Sequence, residues 1–227
     1  MQLIAWCGGA IFVLSLVVTA SWYFVALDRA EPFHGLAPLA IDTALVTIFA
    51  LHHSLFARDA VKVRLAAIPA GAMRSFYVWI ASALLLAVIA LWQPIGMTLY
   101  DHRGIALAAH AAAQLFGVWL IVRATSALDP LELAGIRQAG GAELPTPPLL
   151  DRGVYGLVRH PLYLGWILAL FGAAHMTGDR LAFAALTSAY LVLAVPWEER
   201  SLMHTFGEEA YGRYARRVKW RIVPFVY

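Results

Sequence analysis

Long apolar runs separated by short charged segments are the feature that most limits what this chain can fold into. Hydrophobic residues make up 61% of the 227 residues, charged residues make up only 14%, and the mean hydropathy is +0.70. Soluble globular domains contain roughly 45–50% apolar residues, so this composition excludes that class. A helix of about 20 apolar residues crosses the hydrocarbon core of a bilayer. We therefore predict an all-α, polytopic helical membrane protein.

Six apolar segments predict about six transmembrane helices. The first four contain 25, 21, 17 and 18 residues, and the last two contain 15 and 16. The segments are Leu3–Leu27, Leu36–Phe56, Phe76–Trp92, Ile105–Val122, Leu162–Met176 and Leu181–Pro196. Only Thr177–Arg180 separates the last two, which predicts a C-terminal helical hairpin lengthened by polar residues at its ends. The first segment is too long for the core of a signal peptide, which favours a retained helix.

The chain is short enough that we expect one membrane domain over residues 1–227. Within it, residues 1–122 form a four-helix N-terminal part, residues 123–161 form a loop, and residues 153–219 form a polar C-terminal region. Cys7 is the only cysteine, so neither an intramolecular disulfide nor a thiolate metal site is possible. No metal site is predicted.

Lysine and arginine predict the orientation in the membrane. Fourteen of the 17 lie after helices two, four and six, and only Arg29, Arg103 and Arg180 lie in the opposite loops. By the positive-inside rule, both termini and the loop 123–161 face the cytoplasm. Insertion and contact with anionic membrane lipid account for the net charge of +3, so no nucleic-acid partner is expected.

Two polar groups on the predicted cytoplasmic side are not explained by composition. One lies around Arg159 and His160, just before the fifth segment, and the other begins with Glu198 and Glu199 after the sixth. Because the arms of the hairpin begin and end on the same face, we expect these groups to lie together.

Farther along the chain, Tyr211, Tyr214 and Val218 follow spacings of 3 and 4 residues. This spacing predicts one face of a cytoplasmic interfacial helix that lies on the membrane. Taken singly, each of these polar groups is as readily explained as a membrane anchor.

The residues RHPLYLGW, followed about thirty residues later by EERSLMHTFGEEAYGRYARRV, resemble the C-terminal signature of the integral-membrane methyltransferases. That superfamily includes isoprenylcysteine carboxyl methyltransferase and the bacterial phospholipid N-methyltransferases. The resemblance covers residues 153–218 and implies that S-adenosylmethionine is bound at the cytoplasmic face. The cofactor-binding residues that it implies are Arg159, His160, Pro161, Tyr163, Gly165, Glu198, Glu199, Tyr211 and Tyr214.

The upstream residues HHSLFARDAVK and LELAGIRQ resemble the bacterial methanethiol S-methyltransferase family, which is related to a denitrification-associated group of membrane proteins. This resemblance implies a small lipophilic or thiol substrate and a location in the bacterial inner membrane. One departure concerns Asp129–Glu132, which reads DPLE where the family has a His and an aromatic residue. The resemblance is therefore weaker for the upstream residues, which bear on the substrate, than for residues 153–218, which bear on the cofactor.

The implied cofactor suggests roles for these residues. Its sulfonium is already an activated methyl donor, so the enzyme has to align the reactants and exclude water. Glu198 or Glu199 can accept hydrogen bonds from its ammonium or ribose groups, and Arg159 can pair with its carboxylate. Backbone amides near Gly165 are a further option. Tyr211 or Tyr214 can cover the adenine.

A thiol acceptor has to lose its proton, because the thiolate is the nucleophile. His53, near the cytoplasmic end of the second helix, is the candidate proton acceptor. The alternative is that His53 bonds the last carbonyl groups of its helix. Arg58 and Arg74 are further catalytic candidates, with membrane insertion as the alternative reason for their charge.

Other functions stay open at this point. A prenylcysteine-like carboxylate or a lipid amine is an alternative acceptor. A membrane reductase of the sterol type, which uses NADPH, is an alternative enzyme class. A non-enzymatic subunit or sensor that binds haem or copper through His52, His53 and His160 is the remaining alternative.

Overall fold

The computed structural model describes residues 2–56, 70–140 and 148–227, and its regular secondary structure is almost entirely helical. In chain order the elements are α1 (Gln2–Ser21), α2 (Ala37–Phe56), α3 (Ala70–Leu91), β1 (Thr98–Asp101), α4 (Gly104–Thr125), α5 (Pro130–Leu133), α6 (Ile136–Ala139), α7 (Pro161–Phe171), β2 (His175–Thr177), α8 (Gly178–Phe206) and α9 (Glu208–Arg217). A π-helical turn, Trp22–Ala26, extends α1. The strands β1 and β2 pair as a two-stranded sheet.

The chain forms two compact units. The first comprises Met1–Thr98, Asp129–Leu144 and Thr177–Ala182, and the second comprises Leu99–Leu128, Pro145–Met176 and Phe183–Tyr227. The expectation of a single domain over residues 1–227 stays a prediction.

Helix α3 is the centre of the first unit, where it packs against α1, α2 and α6. The side chain of Ser75 donates to the carbonyl of Gly135 at 3.0 Å. Gly135 has a φ of +75°, and a Cβ atom there would lie 2.9 Å from the amide nitrogen of Ser75. Both the backbone angle and the close approach require glycine. The LELAGIRQ segment is therefore explained by the docking of Gly135 and α6 on α3.

Asp179 anchors a loop of the first unit. Its carboxylate accepts hydrogen bonds at 2.9 Å from the indole of Trp92 and from the backbone amides of Ile95 and Gly96. The residue is 6% exposed. A buried carboxylate with three donors is well satisfied, which explains the acidic residue at the start of α8.

In the second unit, α4 and α7 approach each other at a pair of glycines. A Cβ atom on Gly165 would lie 2.7 Å from the carbonyl oxygen of Gly117, and one on Gly117 would lie 2.6 Å from that of Gly165. Small residues at such crossings allow helix backbones to touch. Both positions therefore require glycine, because any larger residue would push the two helices apart.

The predicted helical hairpin is confirmed, with different bounds. The indole of Trp166 donates to the hydroxyl of Thr187 at 2.9 Å, which aligns α7 with α8. Helix α7 ends at Phe171 instead of Met176, because the following residues join the two-stranded sheet. Helix α8 begins earlier and ends later than the predicted segment Leu181–Pro196.

Five of the helices in the described ranges are long and apolar enough to cross a membrane, namely α1 with its π-helical turn, α2, α3, α4 and α8. These helices confirm the polytopic all-α fold. Helix α7 has 11 residues and is about 17 Å long, which is too short to span alone. Helix α8 has 29 residues and is about 44 Å long, against a hydrocarbon core of about 30 Å. A span that starts at Gly178 therefore ends near Glu198.

Candidate active site

The Arg-His-Pro segment leads directly into α7. The backbone amides of Arg159 and His160 donate to the carbonyls of Trp220 at 2.9 Å and Arg221 at 2.8 Å. Pro161 is the first residue of α7, where a backbone amide would have no helical acceptor. The C-terminal tail therefore holds the residues that precede the helix.

Glu199 is the centre of a buried group of charges in the second unit. Arg159 donates from Nε to Oε1 at 2.7 Å, and Arg221 donates from Nε to Oε2 at 3.1 Å. Nε2 of His160 lies 3.4 Å from Oε1. The side chains of Arg159 and Glu199 are 9% and 8% exposed. Because an unpaired buried charge is costly, this carboxylate depends on its cationic partners.

Arg159 also closes the end of α9. Its Nη1 donates to the carbonyls of Val218 at 2.9 Å, Lys219 at 3.2 Å and Ala215 at 3.3 Å. These carbonyls lie at the C-terminal end of the helix, where a cation is favourable. Arg159 therefore joins α8 to α9 through one guanidinium group.

Glu198 has a different environment from its neighbour. The hydroxyl of Tyr163 donates to Oε2 of Glu198 at 2.6 Å, and Nδ1 of His160 lies 3.5 Å from the same oxygen. The rings of His160 and Tyr163 stack with their centroids 5.2 Å apart. The Glu198 side chain is 42% exposed, against 8% for Glu199. Glu198 is therefore the carboxylate that a ligand can reach.

Tyr211 and Tyr214 lie on the inner face of α9 and are 2% and 4% exposed. They pack with Val218 against Leu202, so this face is covered by protein, whereas the spacing alone suggested a membrane contact. Tyr214 donates to the carbonyl of Tyr155 at 2.9 Å.

The hydroxyl of Tyr211, by contrast, is buried and has no hydrogen-bond partner among the described residues. Burial raises the pKa of Tyr211, and the charge of Glu199 adds to this effect. Burial also raises the pKa of Tyr214. Both phenols are therefore neutral at physiological pH, and the Tyr211 hydroxyl keeps a proton that it can donate.

Gly165 is explained by its contact with Gly117 in α4. This packing role needs no ligand. The cofactor-binding role implied for Gly165 stays a prediction, as do those of the other residues around α7, α8 and α9.

The three predicted catalytic residues belong to the first unit, and Arg58 lies outside the described residues. The hydroxyl of Tyr77 lies 2.6 Å from Nδ1 of His53. The guanidinium carbon of Arg74 lies 5.1 Å from the centroid of the Tyr77 ring, a cation–π distance. The catalytic roles of His53, Arg58 and Arg74 stay predictions.

The DPLE segment forms the start of α5. Asp129 caps this helix by accepting from the backbone amides of Leu131 at 2.9 Å and Glu132 at 3.2 Å. It also pairs with Nε of Arg137 at 2.5 Å. The departure from the family pattern is therefore a conventional helix N-cap with an ion pair.

No sequence motif indicated the contact of Arg221 with Glu199 or that of Tyr77 with His53. Arg221 shares Glu199 with Arg159 and also donates from Nη1 to the hydroxyl of Tyr227 at 3.1 Å. The one available signal for Arg221 was electrostatic, since a buried carboxylate requires nearby cations. Tyr77 has no such signal, because an aromatic residue in an apolar helix is ordinary.

Together, the described residues of the second unit supply complementary polar groups. Glu198 can accept hydrogen bonds from cationic or hydroxyl groups, and Tyr211 can donate one. Neither group is a strong nucleophile. The arrangement is suited to binding and orienting a polar molecule rather than to forming a covalent intermediate.

Comparison with known proteins gives several relatives that cover most of the chain. Methanethiol S-methyltransferase 2 of Bradyrhizobium diazoefficiens is 36% identical over 203 residues, which cover 85% of this chain and 76% of that protein. Methanethiol S-methyltransferase of Crocosphaera subtropica is 36% identical over 210 residues, which cover 88% and 80%. Nurim of Pan troglodytes is 29% identical over 198 residues, which cover 81% and 73%.

No family model and no solved structure matches the chain. The bacterial relatives nevertheless exceed 30% identity over most of both sequences. Their extent and the polytopic fold lead to one conclusion: the chain is a membrane methyltransferase and belongs to the methanethiol S-methyltransferase family.

Proposed function

We propose that the protein transfers a methyl group from S-adenosylmethionine to a small thiol such as methanethiol and releases a thioether. Membership of the family supports methyl transfer, and the names of the relatives support methanethiol as the acceptor. When bound, S-adenosylmethionine supplies a methyl group on a positively charged sulfur, which keeps the electron pair of the broken bond. The observation that carries this proposal is the similarity to the methanethiol S-methyltransferases over most of the chain, and in the structure the accessible carboxylate of Glu198 offers an acceptor for the donor's polar groups.

The polar groups of the second unit fit this donor, which has an ammonium, a carboxylate and ribose hydroxyls. Glu198 can accept from the ammonium or from the ribose, and it is accessible. The hydroxyl of Tyr211 can donate to a ligand acceptor. A buried hydroxyl without a partner costs about 1–3 kcal/mol, and an acceptor on the ligand would remove this cost.

Three further residues contact other parts of the protein and support this site. Arg159 directs its donors to Glu199 and to the end of α9. Glu199 is occupied by two arginines, and Tyr214 is bonded to the carbonyl of Tyr155. We therefore propose that Glu198 and Tyr211 contact the donor, while Arg159, Glu199 and Tyr214 hold the surrounding elements.

The proposed location is the bacterial inner membrane, with both termini in the cytoplasm. The support for this orientation is the unequal distribution of lysine and arginine between the two sides. A fusion of a cytoplasm-dependent reporter to the C-terminus tests it. An active periplasmic reporter at the same position would contradict it.

The direct test of the function is transfer of a radiolabelled methyl group in membranes that contain the protein. The panel contains methanethiol, a prenylcysteine and phosphatidylethanolamine, and we expect label in the volatile thioether. Label in the prenylcysteine or the lipid alone would mean that this molecule, and not the thiol, is the methyl acceptor. Calorimetry with S-adenosylmethionine tests the donor separately, and an absence of binding would overturn it.

A further inference from the structure

Residues 220–227 form a turn of the C-terminal tail in the second unit, and this tail turn holds Arg221 from two sides. The backbone carbonyl of Tyr227 accepts hydrogen bonds at 2.9, 2.8 and 3.1 Å from the amides of residues 221, 222 and 223. Nη1 of Arg221 donates to the Tyr227 hydroxyl at 3.1 Å, and its guanidinium carbon lies 5.2 Å from the centroid of the Tyr227 ring, a cation–π distance. Tyr227 therefore fixes both the backbone and the side chain of Arg221.

Arg221 in turn contacts the groups around the two glutamates. Its Nε donates to Oε2 of Glu199 at 3.1 Å, and its carbonyl accepts from the backbone amide of His160 at 2.8 Å. Nε2 of His160 lies 3.4 Å from Oε1 of Glu199, and Nδ1 lies 3.5 Å from Oε2 of Glu198. A continuous series of polar contacts therefore links Tyr227 to the accessible Glu198.

The burial of these groups makes their positions depend on one another. His160 is 5% exposed and Glu199 is 6% exposed, whereas the side chain of Arg221 is 35% exposed. A buried polar network is stable only while each member keeps its partners. Removing the Arg221 side chain takes a donor from Oε2 of Glu199, so the carboxylate and the neighbouring imidazole can both change position.

We propose that Arg221 is a positioning residue of the donor site and that Tyr227 holds Arg221 in place. This inference rests on the proposed function, because it takes Glu198 as a ligand of S-adenosylmethionine. Arg221 fixes the carboxylate of Glu199, and Glu199 fixes the ring of His160. That ring keeps Glu198 in the orientation that accepts from the donor. Arg221 and Tyr227 act without touching the donor themselves.

The positive charge of Arg221, acting through space, would have the opposite effect on donor binding. S-adenosylmethionine has positive charges on its sulfonium and ammonium and a negative charge on its carboxylate. Removing a nearby positive charge would therefore strengthen its binding. Loss of position would weaken it. S-adenosylhomocysteine has the same ammonium, carboxylate and ribose but a neutral sulfur, so a comparison of the two ligands separates the two effects.

The experiment measures the binding of both ligands to the full-length protein in nanodiscs by calorimetry, which gives the dissociation constant and the stoichiometry. Both dissociation constants should rise roughly tenfold in Arg221→Gln and about threefold in Tyr227→Phe. The stoichiometry should stay unchanged. A merely structural defect would reduce the number of molecules that bind and leave the dissociation constants as they are, and this result would overturn the inference.

Arg221→Lys separates the geometry of the contact from its charge. Lysine keeps the positive charge, but its single ammonium cannot replace the separate contacts of Nε and Nη1. We expect a loss of affinity similar to that of Tyr227→Phe, and normal binding by Arg221→Lys would overturn the positioning role.

A double variant tests whether Tyr227 acts through Arg221. Tyr227→Phe combined with Arg221→Gln should bind both ligands as Arg221→Gln alone does, because the hydroxyl of Tyr227 then has no guanidinium to hold. Losses that add in the double variant would overturn the role of Tyr227.

Two control variants match these substitutions. Arg213→Gln removes another arginine from the second unit, where Arg213 pairs with Glu209 within α9 and is 62% exposed. Val226→Ala changes an exposed side chain of the same tail turn. Both controls should bind the two ligands as the unaltered protein does. A loss in Val226→Ala equal to that in Arg221→Gln would overturn the assignment to Arg221.

The possible failures are distinguishable. If the unaltered protein and the Arg221 and Tyr227 variants bind both ligands equally tightly, this inference is wrong and the proposed function stands. The same conclusion follows if Arg221→Gln binds S-adenosylmethionine more tightly or changes the affinity for only one ligand. If the unaltered protein binds neither ligand, the proposed function is wrong and this inference is wrong with it.

Discussion

Arg159 and Glu199 lie 40 residues apart in the sequence and form an ion pair of 2.7 Å, with each side chain less than one-tenth exposed. Arg221 contacts the second oxygen of the same carboxylate from the C-terminal tail. One buried carboxylate therefore connects α7, α8 and the tail. The adjacent Glu198 is half-buried and bonded to Tyr163.

Glu199→Gln should destabilise the protein strongly. The substitution leaves two arginines beside a neutral amide, and breaking a buried ion pair costs about 3–5 kcal/mol. Thermal unfolding in detergent measures the loss. Glu209→Gln is the control, because Glu209 pairs with Arg213 in the same region but is 86% exposed. Equal stability of the two variants would contradict a central role for Glu199.

Glu198→Gln should reduce donor affinity more than it reduces stability, because the amide oxygen can still accept from the hydroxyl of Tyr163. A hydrogen bond to a charged group contributes about 1.5–3 kcal/mol, so the dissociation constant should rise roughly tenfold to a hundredfold. Calorimetry with S-adenosylmethionine measures this change. If the affinity is unchanged, Glu198 is not a ligand of the donor.

Tyr211→Phe and Tyr214→Phe should have opposite consequences. Tyr214 donates to the carbonyl of Tyr155, so losing its hydroxyl should cost about 1 kcal/mol of stability. Tyr211 loses no protein contact, so its variant should keep or gain stability and bind the donor more weakly. Unfolding curves and binding isotherms of both variants check this. Weaker donor binding in Tyr214→Phe alone would reverse the assignment.

Gly165→Ala tests whether the glycine serves packing or the cofactor. The added Cβ would lie 2.7 Å from the carbonyl oxygen of Gly117, so we expect a destabilisation of about 1–3 kcal/mol. Gly117→Ala, on the opposite helix, should have a similar effect. Ala112→Val on the exposed side of α4 is the control and should unfold like the unaltered protein. A loss of donor affinity in Gly165→Ala alone, with normal stability, would favour the cofactor role.

The predictable part of the fold is the part set by local pattern. The lengths of the apolar segments predicted the long helices of the structure, and the short Thr177–Arg180 connection predicted the hairpin. The bounds were less predictable, because α7 ends where residues His175–Thr177 pair with a strand distant in sequence. An 11-residue helix therefore stands where the apolar run suggested 15 residues.

The candidate site was only partly predictable for the same reason. The Arg-His-Pro segment and the glutamate pair could be found from their motif, since a motif lies in a continuous stretch of sequence. The contribution of Arg221 could not, because its contact with Glu199 forms only when the tail folds back. The contact between Tyr77 and His53 likewise spans 24 residues and two helices.

The sequence by itself determined that this chain is a polytopic membrane protein and which segments carry unusual polar residues, because hydropathy and charge follow from residue type alone. Only the tertiary structure decided that Glu199 is a buried partner of two arginines while Glu198 remains accessible. It also decided that Tyr214 has a protein acceptor and that Tyr211 has none among the described residues. The physical reason is that burial and hydrogen-bond partners depend on residues far apart in the chain.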